Sequence, residues 1–232
     1  MPSKVFELDD GLVVTVNKRR SSRHLRLSIT TDGKASVSIP AWAPYKAGVD
    51  FARSRQAWIK SHVPPIVLLT NRQAIGKAHH LVFMPKPDGI KVETRVLKKD
   101  IIVRFPATLQ STDEEVQQAA HKACVRALRL QAQQLLPQRL ARLANEHGFE
   151  YKSVNIKQLK RRWGSCDHQK HIVLNLFLMQ LPWELIDYVL LHELTHTKML
   201  RHGSDFWLAM AKEMPDSKQQ RRRLREFQPL LG

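Results

Sequence analysis

The chain has 232 residues, enough for one large domain or two small ones, and a formal net charge of +17 that favours an acidic partner or surface. Its two cysteines, Cys124 and Cys166, provide neither a disulfide framework nor a Cys-x-x-Cys metal pair. The N-terminal residues lack the layout of a signal peptide, and no apolar run approaches the roughly 20 residues that span a bilayer. We therefore expect a cytoplasmic protein with no membrane partner.

The first 110 residues predict a β-rich region with one helix. Short apolar and β-branched runs typical of strands lie at Leu12–Val16, Leu25–Thr30, Ala35–Ile39, His80–Met84, Ile90–Thr94 and Ile101–Phe105. Asp32-Gly33 and Asp88-Gly89 are predicted as turns between strands. An apolar stripe predicts a helix from Pro44 to about His62, and Pro64-Pro65 is expected to stop it.

A basic loop, Lys18 to His24, joins the first two predicted strands and contains no acidic residue. Such a loop is either a solvated turn or a set of phosphate contacts. Both interpretations remain open from the sequence.

Residues 111–232 have a helical texture. A capping-box pattern at Ser111-Thr112-Asp113-Glu114 opens a long stretch rich in alanine and glutamine. Pro137 is expected to kink or divide this helix, and Gly148 is expected to end it. Its small apolar residues allow another helix to approach closely.

Further elements follow in this second part of the chain. Strands are predicted at Val154–Leu159 and Ile172–Leu178. Pro182 suits the first turn of a helix that extends to about Leu200. One more helix is predicted to begin near Ser204 or Asp205.

The helix that starts at Pro182 carries the motif His192-Glu193-x-x-His196, with His202 six positions further on. Residues four apart lie on one face of a helix, so His192 and His196 can direct their imidazoles at one point. Two such nitrogens suit zinc, and a third ligand from His202 would leave one coordination position for water. An alternative is an ordinary amphipathic helix with packed histidines, but the preceding apolar run indicates a buried helix whose polar groups need partners.

The combined motifs resemble the YgjP-like metallopeptidase family, which is related to the SprT and WLM zinc proteases. The likeness is carried by Arg162-Trp163-Gly164-Ser165-Cys166, Leu174-Asn175, Tyr188-Val189, His192 to His196, and His202 to Trp207. The resemblance implies an α+β fold in which a β-rich N-terminal half precedes a minimal zincin-like catalytic half over residues 111–232. It also implies one zinc ion held by His192, His196 and His202, with Glu193 as the catalytic carboxylate.

The implied reaction is peptide hydrolysis. Zinc lowers the pKa of bound water to around 7, and Glu193 would act as general base. By resemblance, the Ile172–Leu178 strand is the candidate edge along which a peptide substrate lies. Further candidates for substrate binding or oxyanion stabilisation are Asn175, Arg161, Arg162 and Tyr188, although a packed core aromatic is the favoured interpretation of Tyr188.

Several details stay open. Met199 occupies the position where metzincins have a glycine, so the chain must turn differently to return His202 to the metal. The segment Trp163 to Cys166 is either a tight turn with Gly164 at positive φ, or a source of a fourth ligand, Cys166, that would close the site. Asp187 or Asp205 could support a ligand imidazole.

Three function classes follow from these residues. The first is a zinc metallopeptidase acting on a peptide or protein substrate. The second is a metal-dependent hydrolase of a nucleotide phosphoanhydride such as a nucleoside triphosphate, because the excess of lysine and arginine suits polyphosphate. The third is a SprT-like protease associated with nucleic acid, although the sequence contains no recognisable nucleic-acid module.

Overall fold

The computed structural model describes residues 2–8, 11–29, 35–62, 68–227 and 231. The chain divides into two compact units, an N-terminal unit of Met1–Val67 and a C-terminal unit of Leu68–Gly232. Both combine helices with mixed sheets, so the predicted α+β class is confirmed. The turn predicted at Asp32-Gly33 and the helix stop at Pro64-Pro65 lie outside the described residues.

The N-terminal unit is built on a four-stranded sheet. Its strands are β1 (Ser3–Glu7), β2 (Val13–Arg19), β3 (Arg26–Ile29) and β4 (Ala35–Pro40), in the order β1-β2-β4-β3. The central pair β2 and β4 is parallel, and each outer strand is antiparallel to its neighbour. Strands β2, β3 and β4 overlap the three strands predicted for this part of the sequence and confirm them. β1 was not predicted, because it is a mostly exposed edge strand without alternating apolar residues.

Two helices cover this sheet. The predicted single helix is divided into α1 (Tyr45–Ser54) and α2 (Gln56–His62), because Arg55 leaves the helical region at φ −113°. α1 packs on β2 and β4 through Gly48, where an added Cβ would lie only 2.6 Å from Val16 Cγ1. The core of the unit consists of apolar residues from the sheet, both helices and two connections, Leu8, Val14, Val16, Ala35, Val37, Ile39, Ala43, Ala52 and Ile59.

The C-terminal unit begins with a second four-stranded sheet of the same design. Its strands are β5 (Ala74–Ile75), β6 (His79–Lys86), β7 (Glu93–Val96) and β8 (Asp100–Pro106), in the order β5-β6-β8-β7 with β6 and β8 parallel. β7 begins later than the predicted Ile90–Thr94, because Ile90 is 95% exposed and lies before the strand. This repeated strand order was not visible as a repeat in the sequence.

The long helix α3 (Glu114–Glu146) packs against this sheet. The predicted division at Pro137 is absent, because the helix continues through it with buried Leu136 and Leu140 on either side. The predicted capping box does not form: Asp113 is the N-cap residue, but its carboxylate accepts a hydrogen bond from the Gln110 N–H instead. The predicted end at Gly148 is confirmed by its φ of +62°.

A three-stranded sheet follows, formed by β9 (Ser153–Lys157), β10 (Gly164–Cys166) and β11 (His171–Asn175) in the order β10-β11-β9. The predicted strand Ile172–Leu178 is too long, because the chain turns into a 3-10 helix at Leu176–Gln180. β11 is also the central strand of this sheet. The edge strand beside the histidine motif is therefore β10, which corrects the expectation that the Ile172–Leu178 strand forms the edge.

The chain ends in three helices, α4 (Trp183–His196), α5 (Ser204–Glu213) and α6 (Ser217–Glu226). α4 is buried along most of its length and packs against α3, α5, α6 and β10, so it is one helix that approaches the small residues of α3. The sequence-based boundary at residue 110 falls inside the C-terminal unit, because the sheet of β5 to β8 packs on α3. No helix in the described part of the chain is both long and apolar enough to cross a membrane.

Gly48→Ala tests the packing of the N-terminal unit. In a helix interior alanine is normally more stable than glycine by about 1 kcal/mol. At this position the added Cβ meets two stiff buried side chains, Val16 and Ile39, at 2.6 and 3.0 Å. We expect a net loss of about 1–3 kcal/mol in the free energy of unfolding. Urea unfolding followed by circular dichroism measures the change, and a gain in stability would contradict this packing.

Candidate metal centre

Three histidines converge at the C-terminal end of α4. His192 and His196 are one turn apart on the helix, with ring centroids 4.8 Å apart and ring planes at 87°. His202 lies in the connection between α4 and α5, with its ring centroid 4.9 Å from that of His192 and 4.6 Å from that of His196. The structure thus brings together all three predicted ligands.

The nitrogen atoms of this cluster suit a metal ion. The Nε2 atoms of His192 and His202 are 3.0 Å apart, and the donor atoms of all three histidines lie within 4.8 Å of one another. Zinc–nitrogen bonds of about 2.0–2.1 Å in a tetrahedron place neighbouring nitrogens about 3.3 Å apart. Among the described residues, this is the one group of histidine, cysteine and acidic side chains with such spacing, and it does not include Cys166.

Burial favours the neutral form of two of the histidines, which is the form that binds a metal. Burial, reinforced by the neighbouring histidines and by Arg221, lowers the pKa of His192 to about 3. Burial also lowers the pKa of His196, although a hydrogen bond to Met199 opposes the change. The imidazoles of His192 and His196 therefore present lone pairs at neutral pH without first losing a proton.

Backbone geometry orients His196 and returns His202 to the cluster. The Nδ1 of His196 lies 3.0 Å from the carbonyl oxygen of Met199, which assigns the proton to Nδ1 and leaves Nε2 free to bind a metal. α4 ends at His196 with Thr197 as its C-cap residue, and the N–H of Met199 still bonds to the Thr195 carbonyl oxygen at 3.0 Å. The chain therefore turns tightly after α4 without a glycine at position 199.

Ring stacking positions His202, which is otherwise exposed. Its imidazole is stacked on the indole of Trp207, with centroids 5.5 Å apart and planes at 18°. The guanidinium carbon of Arg221 lies 4.0 Å from the Trp207 ring centroid. Phe206 contacts His202 edge-on at 4.8 Å. Helices α5 and α6 thus supply the surroundings that hold the third imidazole in place.

Glu193 lies deep beside the histidines. It is 4% exposed, and its Oε2 has no hydrogen-bond partner among the described residues. Burial raises its pKa to about 8, while the positive charge of Arg162 acts in the opposite direction. A buried carboxyl with an unused oxygen next to three converging imidazoles is suited to transfer protons at a metal site.

Gly164 in β10 makes room for this carboxyl. An added Cβ would lie 2.6 Å from Glu193 Oε1 and 2.8 Å from its Cγ. Gly164 does not have a positive φ, so the expectation of a tight turn there is wrong. The glycine is required for close approach of the strand to Glu193, a role that no local sequence pattern indicates.

Asn175 connects the sheet to the loop before β10. Its side-chain Nδ2 donates to the carbonyl oxygens of Leu159 and Arg162, both at 2.9 Å, and its Oδ1 accepts from the Phe177 N–H at 3.2 Å. These bonds satisfy the buried amide within the protein. The observed contacts of Asn175 therefore shape the loop 159–163 that carries Arg161 and Arg162.

The other candidates are placed around the cluster. Arg161 and Arg162 are exposed, and the charge of Arg162 acts on Glu193. The Tyr188 ring lies one turn before His192, with centroids 5.9 Å apart. Burial raises the pKa of Tyr188, whereas Arg221 and Arg225 oppose that increase.

The two aspartates considered as supports for the ligands have other contacts. Asp187 forms a two-pronged ion pair with Arg139. Asp205 is exposed and accepts a hydrogen bond from the Ser204 hydroxyl at 3.2 Å. The Nδ1 of His192 has no partner among the described residues. The support predicted from these aspartates is therefore not found, and the Met199 carbonyl oxygen serves His196 instead.

Comparison with known proteins gives a match over most of the chain. A family model for the YgjP-like metallopeptidase domain matches residues 23–227. The structure is similar to that of abylysin from Pyrococcus abyssi, crystallised as a metallopeptidase zymogen, at 26% identity over 39% of this chain and 91% of abylysin (TM-score 0.36). It is also similar to the metallopeptidase zymogen jannalysin of Methanocaldococcus jannaschii, at 21% identity over 38% and 90% (TM-score 0.34). No curated protein matches the chain.

Glu193→Gln in metal-free protein tests the burial of the carboxyl. The folded state keeps Glu193 protonated up to a pKa of about 8, against 4.5 ordinarily. The stabilisation by the bound proton is present below pH 4.5 and is lost as the pH rises through 8. We expect the variant to melt several degrees above wild type at pH 8 and close to it at pH 5. Scanning calorimetry in chelator gives both values, and parallel melting curves across this range would refute the idea.

Trp207→Ala tests how His202 is positioned. Without the indole, the exposed imidazole of His202 is free to rotate away from His192, and we expect zinc affinity to fall about 10- to 100-fold. Trp207→Phe keeps an aromatic face and should retain most of the affinity. Competition with a chromophoric chelator measures binding directly. Equal affinities for wild type and Trp207→Ala would show that the stack has no such role.

Proposed function

Because the chain belongs to the YgjP-like metallopeptidase family, we propose that it is a zinc-dependent peptidase with His192, His196 and His202 as ligands and Glu193 as general base. The observation that carries this proposal is the convergence of three imidazoles beside a buried carboxyl. Three imidazole ligands suit zinc and leave one coordination position for water or substrate, which is the arrangement of a catalytic site.

A zinc ion at these ligands supplies a Lewis acid that activates water and polarises the scissile carbonyl. Glu193 accepts the proton of the attacking water and delivers it to the leaving nitrogen. The positive charge of a zinc ion held by the adjacent histidines would favour the ionised carboxylate of Glu193, because an opposite charge at short range lowers the pKa of an acid. Gly164 fixes where that carboxylate lies.

The edge strand β10 is the proposed docking site for an extended peptide. In the ladder with β11, the Asn175 N–H bonds to the Trp163 carbonyl oxygen at 2.8 Å, and the Asp167 N–H bonds to the His171 carbonyl oxygen at 3.1 Å. Since hydrogen-bonded pairs alternate in an antiparallel ladder, the backbone groups of Gly164 and Cys166 point to the open edge. A peptide added there would run beside Glu193.

Arginine side chains bear on the substrate class. The charge of Arg162 acts on Glu193, and those of Arg221 and Arg225 act on Tyr188 beside His192. This positive surrounding favours substrates that carry negative charge. It also supports a second candidate function, hydrolysis of a nucleoside triphosphate at the same site, with the arginines holding phosphate oxygens.

We expect wild-type protein loaded with zinc to cleave casein or members of a peptide library, and chelator to abolish cleavage. Glu193→Gln should lower kcat/KM by about 10²–10⁴-fold, the usual contribution of a general base. Gly164→Ala should lower kcat by about 10²-fold through displacement of Glu193, while zinc affinity stays within about twofold of wild type. Cleavage rates and chelator competition provide these measurements.

Glu184→Gln is a matched control, because Glu184 lies on the exposed first turn of the same helix. It should leave cleavage unchanged. Phosphate release from nucleoside triphosphates with the same dependence on Glu193, and no peptide cleavage, would favour the second candidate. If neither reaction depends on Glu193, the proposed catalytic role is wrong.

A further inference from the structure

The N-terminal unit collects its basic residues at one end of the sheet. β2 and β4 run parallel and finish together, since Arg19 pairs with Pro40. β1 and β3 are antiparallel to them and begin at that same end, with Ser3 opposite Asn17 and Arg26 opposite Ser38. We define the basic end as residues 2–6, 16–26 and 38–47, which include the first turn of α1.

The basic end carries seven cationic side chains and no acidic one. The cations are Lys4, Lys18, Arg19, Arg20, Arg23, Arg26 and Lys46, and all except the partly buried Lys18 are exposed. Acidic residues described elsewhere in the unit lie away from it. Glu7 pairs with Val13 at the opposite end of the sheet, and Asp50 lies 3.8 Å from Arg53 further along α1. Strand directions therefore concentrate the positive charge.

An indole projects from the basic end. Trp42 follows β4 by two residues and is 82% exposed, the largest exposure of any tryptophan among the described residues. The ammonium group of Lys18 donates a hydrogen bond to the carbonyl oxygen of the adjacent Ala41 at 3.2 Å. Lys4 and Lys18 also lie 5.1 and 5.0 Å from the Tyr45 ring centroid. Trp42 thus offers a flat apolar face directly beside fixed positive charges.

We infer that the basic end is a binding surface for single-stranded nucleic acid. Its arginines and lysines would pair with successive phosphates, and the exposed face of Trp42 would stack on an unpaired base. Four of the seven cations are arginines, whose planar guanidinium groups suit bidentate contact with phosphate. The amino end of α1 lies at the same surface without a side-chain cap, which adds partial positive charge from its free N–H groups.

The composition of the surface favours nucleic acid over an anionic membrane. Insertion into a lipid interface requires a broad apolar face. Two large apolar side chains are exposed at the basic end, namely Trp42 and Val5, and Val5 lies on the outer strand β1. They do not form a broad apolar face. A single exposed indole among seven cations matches a nucleic-acid strand that offers several phosphates and one accessible base. This inference does not depend on the proposed peptidase activity, which concerns residues of the C-terminal unit.

Fluorescence anisotropy of a labelled 12-nucleotide oligothymidylate with the full-length protein tests the inference. Trp42→Ala should weaken binding about 5- to 150-fold, the effect of losing one stacked base. A triple variant, Arg19→Gln with Arg20→Gln and Arg23→Gln, should reduce the magnitude of the slope of log affinity against log salt by about 2. Each lost phosphate contact accounts for roughly 0.7 of that change. Far-ultraviolet circular dichroism would establish that both variants are folded.

A second triple variant provides a control of equal charge. Lys91→Gln with Lys98→Gln and Lys99→Gln removes three exposed cations from the C-terminal unit and should leave the salt slope within about 0.5 of wild type. The inference is overturned if the oligonucleotide does not bind at low salt, or if both triple variants reduce the slope equally. It is also overturned if Trp42→Ala binds like wild type, or if phosphatidylserine vesicles bind through Trp42 in preference to the oligonucleotide.

Discussion

The candidate site depends on one constraint: α4 is an apolar, buried helix whose C-terminal half nevertheless contains two histidines and the buried Glu193. Polar groups in such a position are costly unless they find partners. Here His196 bonds to a backbone carbonyl oxygen, whereas His192 Nδ1 and Glu193 Oε2 have no partner among the described residues. The three imidazoles and the Glu193 carboxyl converge on one point, where they can bind a cation and a water molecule.

The elements around α4 each contribute one feature to the histidine cluster. In β10, Gly164 has no side chain, and this leaves space for the Glu193 carboxyl. The connection after α4 contributes the Met199 carbonyl oxygen and His202. α5 contributes the Trp207 indole, which stacks on the third imidazole, and α6 contributes the Arg221 guanidinium, which lies over that indole. These neighbouring elements therefore restrict the positions of Glu193, His196 and His202.

Most elements could be predicted from the sequence, because periodicity and turn residues report local burial directly, whereas the fold class came from the resemblance to a known family. The spacing of His192, Glu193 and His196 identified the face of α4 for the same reason. Asn175 and Gly164 were harder, since their roles depend on segments that only tertiary structure brings close. The edge position of β10 likewise follows from strand order, which a single sequence does not encode locally.

The two four-stranded sheets share one strand order, and in each the fourth strand ends in proline, Pro40 or Pro106. Adjacent modules of like design are prone to exchange equivalent strands while they fold, which is a recognised route to misassembly. Exchange requires that the borrowed strand fill the same hydrophobic layer. Val14 and Val37 occupy that layer in one sheet, whereas Leu81 and Ile101 occupy it in the other. A strand exchanged between the two sheets would therefore change the side-chain volume packed in that layer, which disfavours the exchange.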